Sequence, residues 1–96
     1  MDRETAEWVA AEELLRRGIY ELPEGDVVVV AQAERFRSTW VVYYNSKRYL
    51  ETGDASFALA GNGPVLVAPD YRCEVAESGV EVLDAVLAFE NRADAT

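Results

Sequence analysis

The side chains that most often perform catalysis are scarce in this sequence, which contains no histidine and a single cysteine, Cys73. Without histidine, neither a Ser-His-Asp nor a Cys-His nucleophilic system can be assembled, and the commonest zinc ligand is missing. A lone cysteine cannot form a thiolate metal site, and Cys73 is expected to be a small buried hydrophobic residue rather than a nucleophile. The sequence therefore predicts no catalytic residue, no metal site and no cofactor.

Two further patterns resemble functional sites, and each has a simpler interpretation. Glu51 and Asp54 flank Gly53 and form a carboxylate pair of the kind used in acid–base catalysis. With 18 Asp and Glu residues in the chain, such pairs arise by chance. The GNGP run at 61–64 has two glycines, but it lacks phosphate-loop spacing and is followed by a strand-like run rather than a helix. A tight turn between sheet elements is predicted there.

Length and composition predict one compact domain. The chain has 96 residues, of which 50% are hydrophobic and 28% are charged, as in globular proteins. We expect a single domain over 1–96, with an ordered core at about 3–90 and a frayed tail at 91–96. The sequence leaves the oligomeric state open.

The charge distribution excludes one class of partner and leaves another open. A net charge of −9 argues against a nucleic-acid binder, because phosphate contacts require clustered Lys and Arg. The stretch 35–48 nevertheless carries Arg35, Arg37, Lys47 and Arg48 without any acidic residue. This local cluster is either ordinary strand-end charge or a surface that steers a partner.

The chain shows no sign of export or membrane insertion. Its first residues, MDRETAEW, contain no apolar segment of the signal-peptide type. No apolar run approaches the ~20 residues that a membrane helix requires. With one cysteine and no internal disulfide possible, we expect a cytoplasmic protein without a membrane partner.

The first element that could position a binding surface is a helix over residues 2–17. Asp2 is suited to cap its N-terminus, and Gly18 to end it. An apolar stripe formed by Trp8, Ala11, Leu14 and Leu15 is expected to pack on a sheet. In this interpretation Trp8 is a core anchor, with a binding role as the alternative.

The middle of the chain alternates in the manner of antiparallel strands. In the first predicted strand, 26–36, Val27, Val29, Ala31 and Ala33 share the face that a helix should cover. Further strands are predicted at 39–45, 48–51, 65–68 and 73–76, a strand or helical turn at 57–60, and a helix at 81–90. The predicted class is α+β: an antiparallel sheet of four or five strands built from hairpins, with an N-terminal helix packed on one face and a C-terminal helix.

The order and spacing of several motifs resemble the immunity protein 35 family, also described as a YrhB-like domain. The motifs are WVVYYNSKRYLETGD from Trp40, followed by ALAGNGPVLVAPD. The similarity extends over about residues 3–90. Its marker residues, which are also candidate partner contacts, are Trp40, Tyr43, Tyr44, Tyr49, Asn62, Gly63 and Pro64.

The resemblance implies an α+β protein of bacterial polymorphic toxin systems that binds and neutralises a cognate toxin, of papain-like or caspase-like class, without catalysis of its own. A chaperone-like or housekeeping stress protein of the YrhB type is the alternative. One departure concerns a hairpin tip, where family members tend to have Thr-Gly and this chain has Asp70-Tyr71-Arg72. Trp40, the family's prominent tryptophan, is either part of the core or a partner contact.

Overall fold

The computed structural model describes residues 1–18, 22, 24–59 and 63–94, which form three α-helices, four strands and one 3₁₀ turn. The predicted α+β class is confirmed, and the sheet has four strands. In chain order the elements are α1 (Arg3–Arg17), β1 (Val28–Phe36), β2 (Thr39–Ser46), α2 (Lys47–Thr52), the 3₁₀ turn (Ala55–Phe57), β3 (Val65–Val67), β4 (Cys73–Val75) and α3 (Val82–Asp94).

The four strands lie side by side in chain order, and each neighbouring pair is antiparallel. The register of β1 and β2 runs from Val28 opposite Ser46 to Phe36 opposite Thr39. The pairing between β2 and β3 is shorter and involves only Trp40–Val42 of β2. The two edges of the sheet are therefore β1, with 9 residues, and β4, with 3 residues.

The ends of α1 are those that the sequence predicts. The Asp2 carboxylate accepts a hydrogen bond from the Thr5 N–H at 2.8 Å, which satisfies a backbone donor in the first turn. Gly18 adopts φ 56°, and its N–H donates to the Leu14 carbonyl at 3.1 Å. The left-handed conformation that ends the helix is one that glycine adopts without a Cβ clash.

α1 packs on one face of the sheet, but of the predicted stripe only Leu14 is buried there. Its buried residues are Ala6, Val9, Ala10, Glu13 and Leu14, in one cluster with Val42 and Tyr44 of β2 and with Val65 and Val67 of β3. Trp8 is 62% exposed and Leu15 is 77% exposed, so the prediction that Trp8 anchors the core is wrong. The helix has two apolar stripes, and the small residues allow a closer approach to the sheet than a tryptophan would.

The face of β1 that α1 covers also differs from the predicted one, because the strand contains a bulge. The register shifts between Val30 and Gln32, and Ala31 has no partner on β2. One extra residue reverses the alternation of side chains along a strand. Val28 and Val30 therefore pack toward α1 before the bulge, as Ala33 does after it, while Ala31 is exposed.

The second face of the sheet is covered by α3. Val86 and Phe89 of this helix are fully buried in one cluster with Val41 and Leu66 from the central strands. The side chain of Tyr43 packs against the same cluster. α3 continues to Asp94, four residues beyond the predicted end at residue 90. The core thus has two layers, one on each side of β2 and β3.

The predicted strand at 48–51 is wrong, because this segment is the short helix α2. The Ser46 hydroxyl caps it by accepting a hydrogen bond from the Tyr49 N–H at 3.2 Å. Gly53 ends it at φ 71°. The 3₁₀ turn that follows shares only Phe57 with the predicted strand or helical turn at 57–60. Ala58 and Leu59 lie outside any helix or strand, and residue 60 lies outside the described residues.

The β3–β4 turn contains the sequence departure noted above. Tyr71 adopts φ 73°, a left-handed conformation that favours glycine. The Asp70 carboxylate accepts the Arg72 N–H at 3.0 Å and stabilises the turn. The tip therefore keeps a tight turn while it presents an exposed tyrosine, Tyr71.

Glu90 of α3 forms hydrogen bonds with the tip of the β1–β2 hairpin. One oxygen of its carboxylate accepts from the Arg37 Nε at 2.8 Å, and the other accepts from the Thr39 hydroxyl at 2.6 Å and the Ser38 hydroxyl at 3.2 Å. Arg37 adopts φ 59°, an uncommon conformation for a residue with a Cβ. The bonds to Glu90 hold the hairpin in this strained turn.

We expect Glu90→Gln to lower the free energy of unfolding by ~2 kcal/mol, as hydrogen bonds to a charged acceptor are lost. The Thr39 hydroxyl, followed by the Arg37 guanidinium and the Ser38 hydroxyl, lowers the pKa of Glu90, although burial opposes the shift. A lowered folded-state pKa gives stability that is present above the unfolded-state pKa and is lost as the pH falls through the folded-state pKa. In urea unfolding, the difference between wild type and variant should shrink in acid; a constant difference would contradict this role.

Candidate partner-binding surface

The structure does not gather the predicted marker residues into one patch. Trp40 and Tyr44 lie on the α1 side of β2, and Tyr43 lies on the α3 side. Tyr49 lies on α2, beyond the end of β2. Each of these four side chains is at least partly buried. As partner contacts they remain a prediction.

The glycine-rich segment has a structural role at its described end. Gly63 is buried, and a Cβ built on it would lie 2.0 Å from the Ala76 carbonyl oxygen. The neighbouring Pro64 carbonyl accepts the Ala76 N–H at 2.8 Å. Gly63 therefore lets two backbone segments meet beside β3 and β4. Asn62, the remaining marker, lies outside the described residues.

Trp40 is half-buried against the core under α1, and its Nε1 donates to the Met1 carbonyl at 3.3 Å. We expect Trp40→Ala to lower the free energy of unfolding by ~2 kcal/mol, less than the loss of a fully buried tryptophan. The matched control Trp8→Ala removes an exposed ring and should change stability by less than ~0.5 kcal/mol. Urea unfolding of both variants checks this, and equal losses would contradict the positions of the two tryptophans.

Two of the residues that the sequence singled out for chemistry, Cys73 and Asp54, have structural partners. The Cys73 thiol lies 3.5 Å from the Glu13 carboxylate, and burial, followed by that negative charge, raises its pKa to about 11. A thiol with such a pKa is almost entirely protonated at neutral pH and is a poor nucleophile. The Asp54 carboxylate accepts from the Ser56 N–H at 2.9 Å and thereby caps the 3₁₀ turn.

Glu13 is a buried carboxylate that sequence reasoning did not identify. Its side chain is 7% exposed, with Arg16 Nη2 at 2.6 Å and Arg17 Nε at 2.7 Å. The Arg16 hydrogen bond is the main cause that lowers the pKa of Glu13, against the opposing effect of burial. The two arginines on the next helical turn were the sequence signal for this charge cluster. Arg16 and Arg17 neutralise the negative charge of Glu13 at the edge of the core.

The predicted basic cluster is divided between the two ends of β2. Arg35 and Arg37 lie at the hairpin end, where Arg37 is paired with Glu90. Lys47 and Arg48 begin α2 at the other end, and Arg48 donates to the Glu24 carbonyl at 2.8 Å. These four cations therefore do not form one continuous surface.

An exposed apolar groove with a volume of about 630 Å³ lies between α1 and the edge strand β1. On the helix side it is lined by Trp8, Ala11, Leu14 and Leu15, and on the other side by Val27 and the first residues of β1. Trp8, Leu15 and Val27 are more than half exposed. We call this surface the α1–β1 groove; contiguous apolar surface of this kind typically marks an interaction site.

The described lining of the α1–β1 groove contains two charged side chains, and both are acidic: Glu7 and Asp26. The Asp26 carboxylate accepts from the Ser46 hydroxyl at 2.5 Å and from the Arg48 N–H at 3.1 Å, and these bonds lower its pKa, the Ser46 bond most. Glu7 makes no hydrogen bond or ion pair with the described residues. The groove is therefore apolar with an acidic border.

The sequence contained a signal for this groove that was misinterpreted. Trp8, Ala11 and Leu15 follow helical spacing, as do Ala6, Val9 and Ala10. A helix with two apolar stripes can bury only one of them against a single sheet. The stripe of larger residues stays in solvent. The sequence alone does not determine which of the two stripes the sheet covers.

The described residues give no indication of a metal site or of a membrane-spanning helix. No three described Asp, Glu or Cys residues are grouped so that they could hold a metal ion. Among the described helices, none has both the length and the apolar character required to cross a bilayer.

Comparison with known proteins gives one match. The sequence model of a family described as Immunity protein 35 matches residues 5–91, nearly the whole chain. No curated protein and no solved structure shows significant similarity to it.

Proposed function

The chain belongs to the immunity protein 35 family, and from this premise we propose that it binds and neutralises a cognate bacterial toxin without catalysis of its own. The toxin is of papain-like or caspase-like class, and the complex forms in the cytoplasm of a bacterium with a polymorphic toxin system. The observation that carries the proposal is the family match, which extends over the elements that build both layers of the core.

The surface of the chain supports a binding role. The α1–β1 groove leaves Trp8 and Leu15 in solvent, where each costs free energy unless a partner covers it. The net charge of −9 favours rapid association with a positively charged partner. Contacts from the half-buried Trp40, Tyr43 and Tyr49 remain part of this proposal.

The test is protection of a bacterial host from the toxin domain encoded beside the gene for this chain. We expect that the toxin alone stops growth, and that coexpression of the chain restores growth and yields a complex that copurifies. An unrelated acidic protein of equal size, expressed at the same level, is the control. Growth arrest despite soluble expression of the chain would contradict the proposal.

A chaperone-like stress protein of the YrhB type is the second candidate, because an exposed apolar groove also suits the capture of unfolded chains. It predicts that the purified chain suppresses heat aggregation of unrelated proteins. An immunity protein should suppress none of them and should bind its own toxin. The aggregation assay and the growth assay therefore give opposite results for the two candidates.

A further inference from the structure

The first residues of β1 direct some of their backbone groups to an edge of the sheet where no described strand pairs with them. The Lys47 N–H donates to the Val27 carbonyl at 2.8 Å, so the backbone groups of Val27 point toward β2. Along an antiparallel strand, the backbone N–H and C=O groups of successive residues point alternately toward the partner strand and away from it. The N–H and C=O groups of Val28 and Val30 therefore point to the outer edge of the sheet, where no described strand lies.

The α1–β1 groove adjoins this same edge. The side chains of Val28 and Val30 lie on the α1 side of the sheet, and beyond them the groove is bounded by Trp8, Ala11 and Leu15. In a strand paired with β1, the residues directly opposite Val28 and Val30 would have their side chains on that side as well. Backbone pairing and filling of the groove would thus occur together.

The charges at the groove favour a basic occupant over a second copy of this chain. The described lining includes the unpaired Glu7 and no Lys or Arg. A second copy would bring another net charge of −9 to an acidic border. A segment that carries Lys or Arg would instead gain from both the local and the overall charge.

The geometry points to strand addition as the way in which this chain holds its toxin. A short extended segment of the toxin pairs with β1 at Val28 and Val30, inserts alternate apolar side chains against Trp8 and Leu15, and places a Lys or Arg beside Glu7. Main-chain bonds supply affinity and the alternating side chains supply selectivity, as in other strand-addition complexes. The inference rests on the proposed toxin binding and adds the surface and the conformation of the bound segment.

The test uses the purified toxin domain encoded beside the gene for this chain, titrated calorimetrically with wild type and variants. We expect Trp8→Ala and Glu7→Lys each to weaken binding by at least ~10-fold, because they remove an aromatic anchor and reverse a charge at the groove. Control variants truncate an apolar side chain or reverse an acidic charge elsewhere on the surface. Leu83→Ala on α3 and Glu77→Lys after β4 should remain within about twofold of wild type.

Amide hydrogen exchange provides a readout of the backbone pairing itself. On addition of the toxin domain, exchange at Val28 and Val30 should slow markedly. Val29 directs its N–H toward β2 and should be protected in both the free and the bound chain. New protection at Val28 and Val30, with unchanged protection at Val29, is the pattern expected when an added strand pairs with β1.

The outcomes separate the inference from the function on which it rests. If wild type binds the toxin and Trp8→Ala and Glu7→Lys bind equally well, with no new protection at Val28 or Val30, strand addition is overturned and toxin binding stands. If wild type forms no complex, the proposed function fails and the inference fails with it. A wild-type homodimer that Trp8→Ala dissociates would also overturn the inference, because a second copy would then fill the groove.

Discussion

Replacing Phe89 by alanine is expected to lower the free energy of unfolding by about 4 kcal/mol. Phe89 is 0% exposed and lies in the cluster that joins α3 to the second face of the sheet. The Arg72 guanidinium lies 3.8 Å from the centre of its ring, and the Arg72 Nη2 donates to the Phe89 carbonyl at 2.9 Å. Truncation would therefore leave a cavity and also remove a cation–π contact.

Urea unfolding checks this prediction, with Leu83→Ala as the control on the same helix. Leu83 is 53% exposed, so its truncation should change stability by less than ~0.5 kcal/mol. Comparable losses for the two variants would mean that α3 does not pack through the face that contains Phe89. A large loss for Phe89→Ala alone would support the second layer of the core.

Gly63→Ala is the second substitution with a large expected effect, a loss of ~3 kcal/mol. A Cβ at this position would lie 2.0 Å from the Ala76 carbonyl oxygen and 2.7 Å from its carbonyl carbon. These are backbone atoms, so a side-chain rotation cannot relieve the clash. The two segments would have to separate, which would disturb the hydrogen bond between the Ala76 N–H and the Pro64 carbonyl.

Gly79→Ala separates this clash from the general cost of replacing a glycine. Gly79 adopts φ 84°, and beyond its two chain neighbours no atom of the described residues lies within 4 Å of a Cβ built on it. Its replacement should cost about 1 kcal/mol through backbone strain alone. Thermal unfolding followed by circular dichroism measures both variants. If Gly63→Ala lowers the stability no more than Gly79→Ala does, that result would contradict the close approach of the two backbones at Gly63.

The order of the elements could be predicted from the sequence because local chemistry determines it. Asp2 and Gly18 define the ends of α1, and the alternation in β2 places Trp40 and Tyr44 on one face. Such signals require only neighbouring residues. The cap formed by Ser46 was equally local, and it shows how α2 could have been recognised as a helix.

The faces of α1 and β1 could not be predicted because they depend on tertiary packing. The bulge at Ala31 reverses the alternation of β1, and a run of four valines gives no indication of where that happens. The exposure of Trp8 follows from the choice between two apolar stripes, which the sheet decides. The α1–β1 groove is a consequence of both features. The helical spacing of Trp8, Ala11 and Leu15 therefore indicated an apolar stripe, but not that this stripe would stay in solvent.

The association state of the chain with its toxin tests the central claim most directly. Light scattering after size-exclusion chromatography would give the molar mass of an equimolar mixture of the chain and the toxin domain encoded beside its gene. We predict one peak whose mass exceeds that of the toxin domain by 10.7 kDa, the mass of one copy of this chain. Two separate peaks at the masses of the free components would contradict the assignment of this chain as a toxin-binding immunity protein.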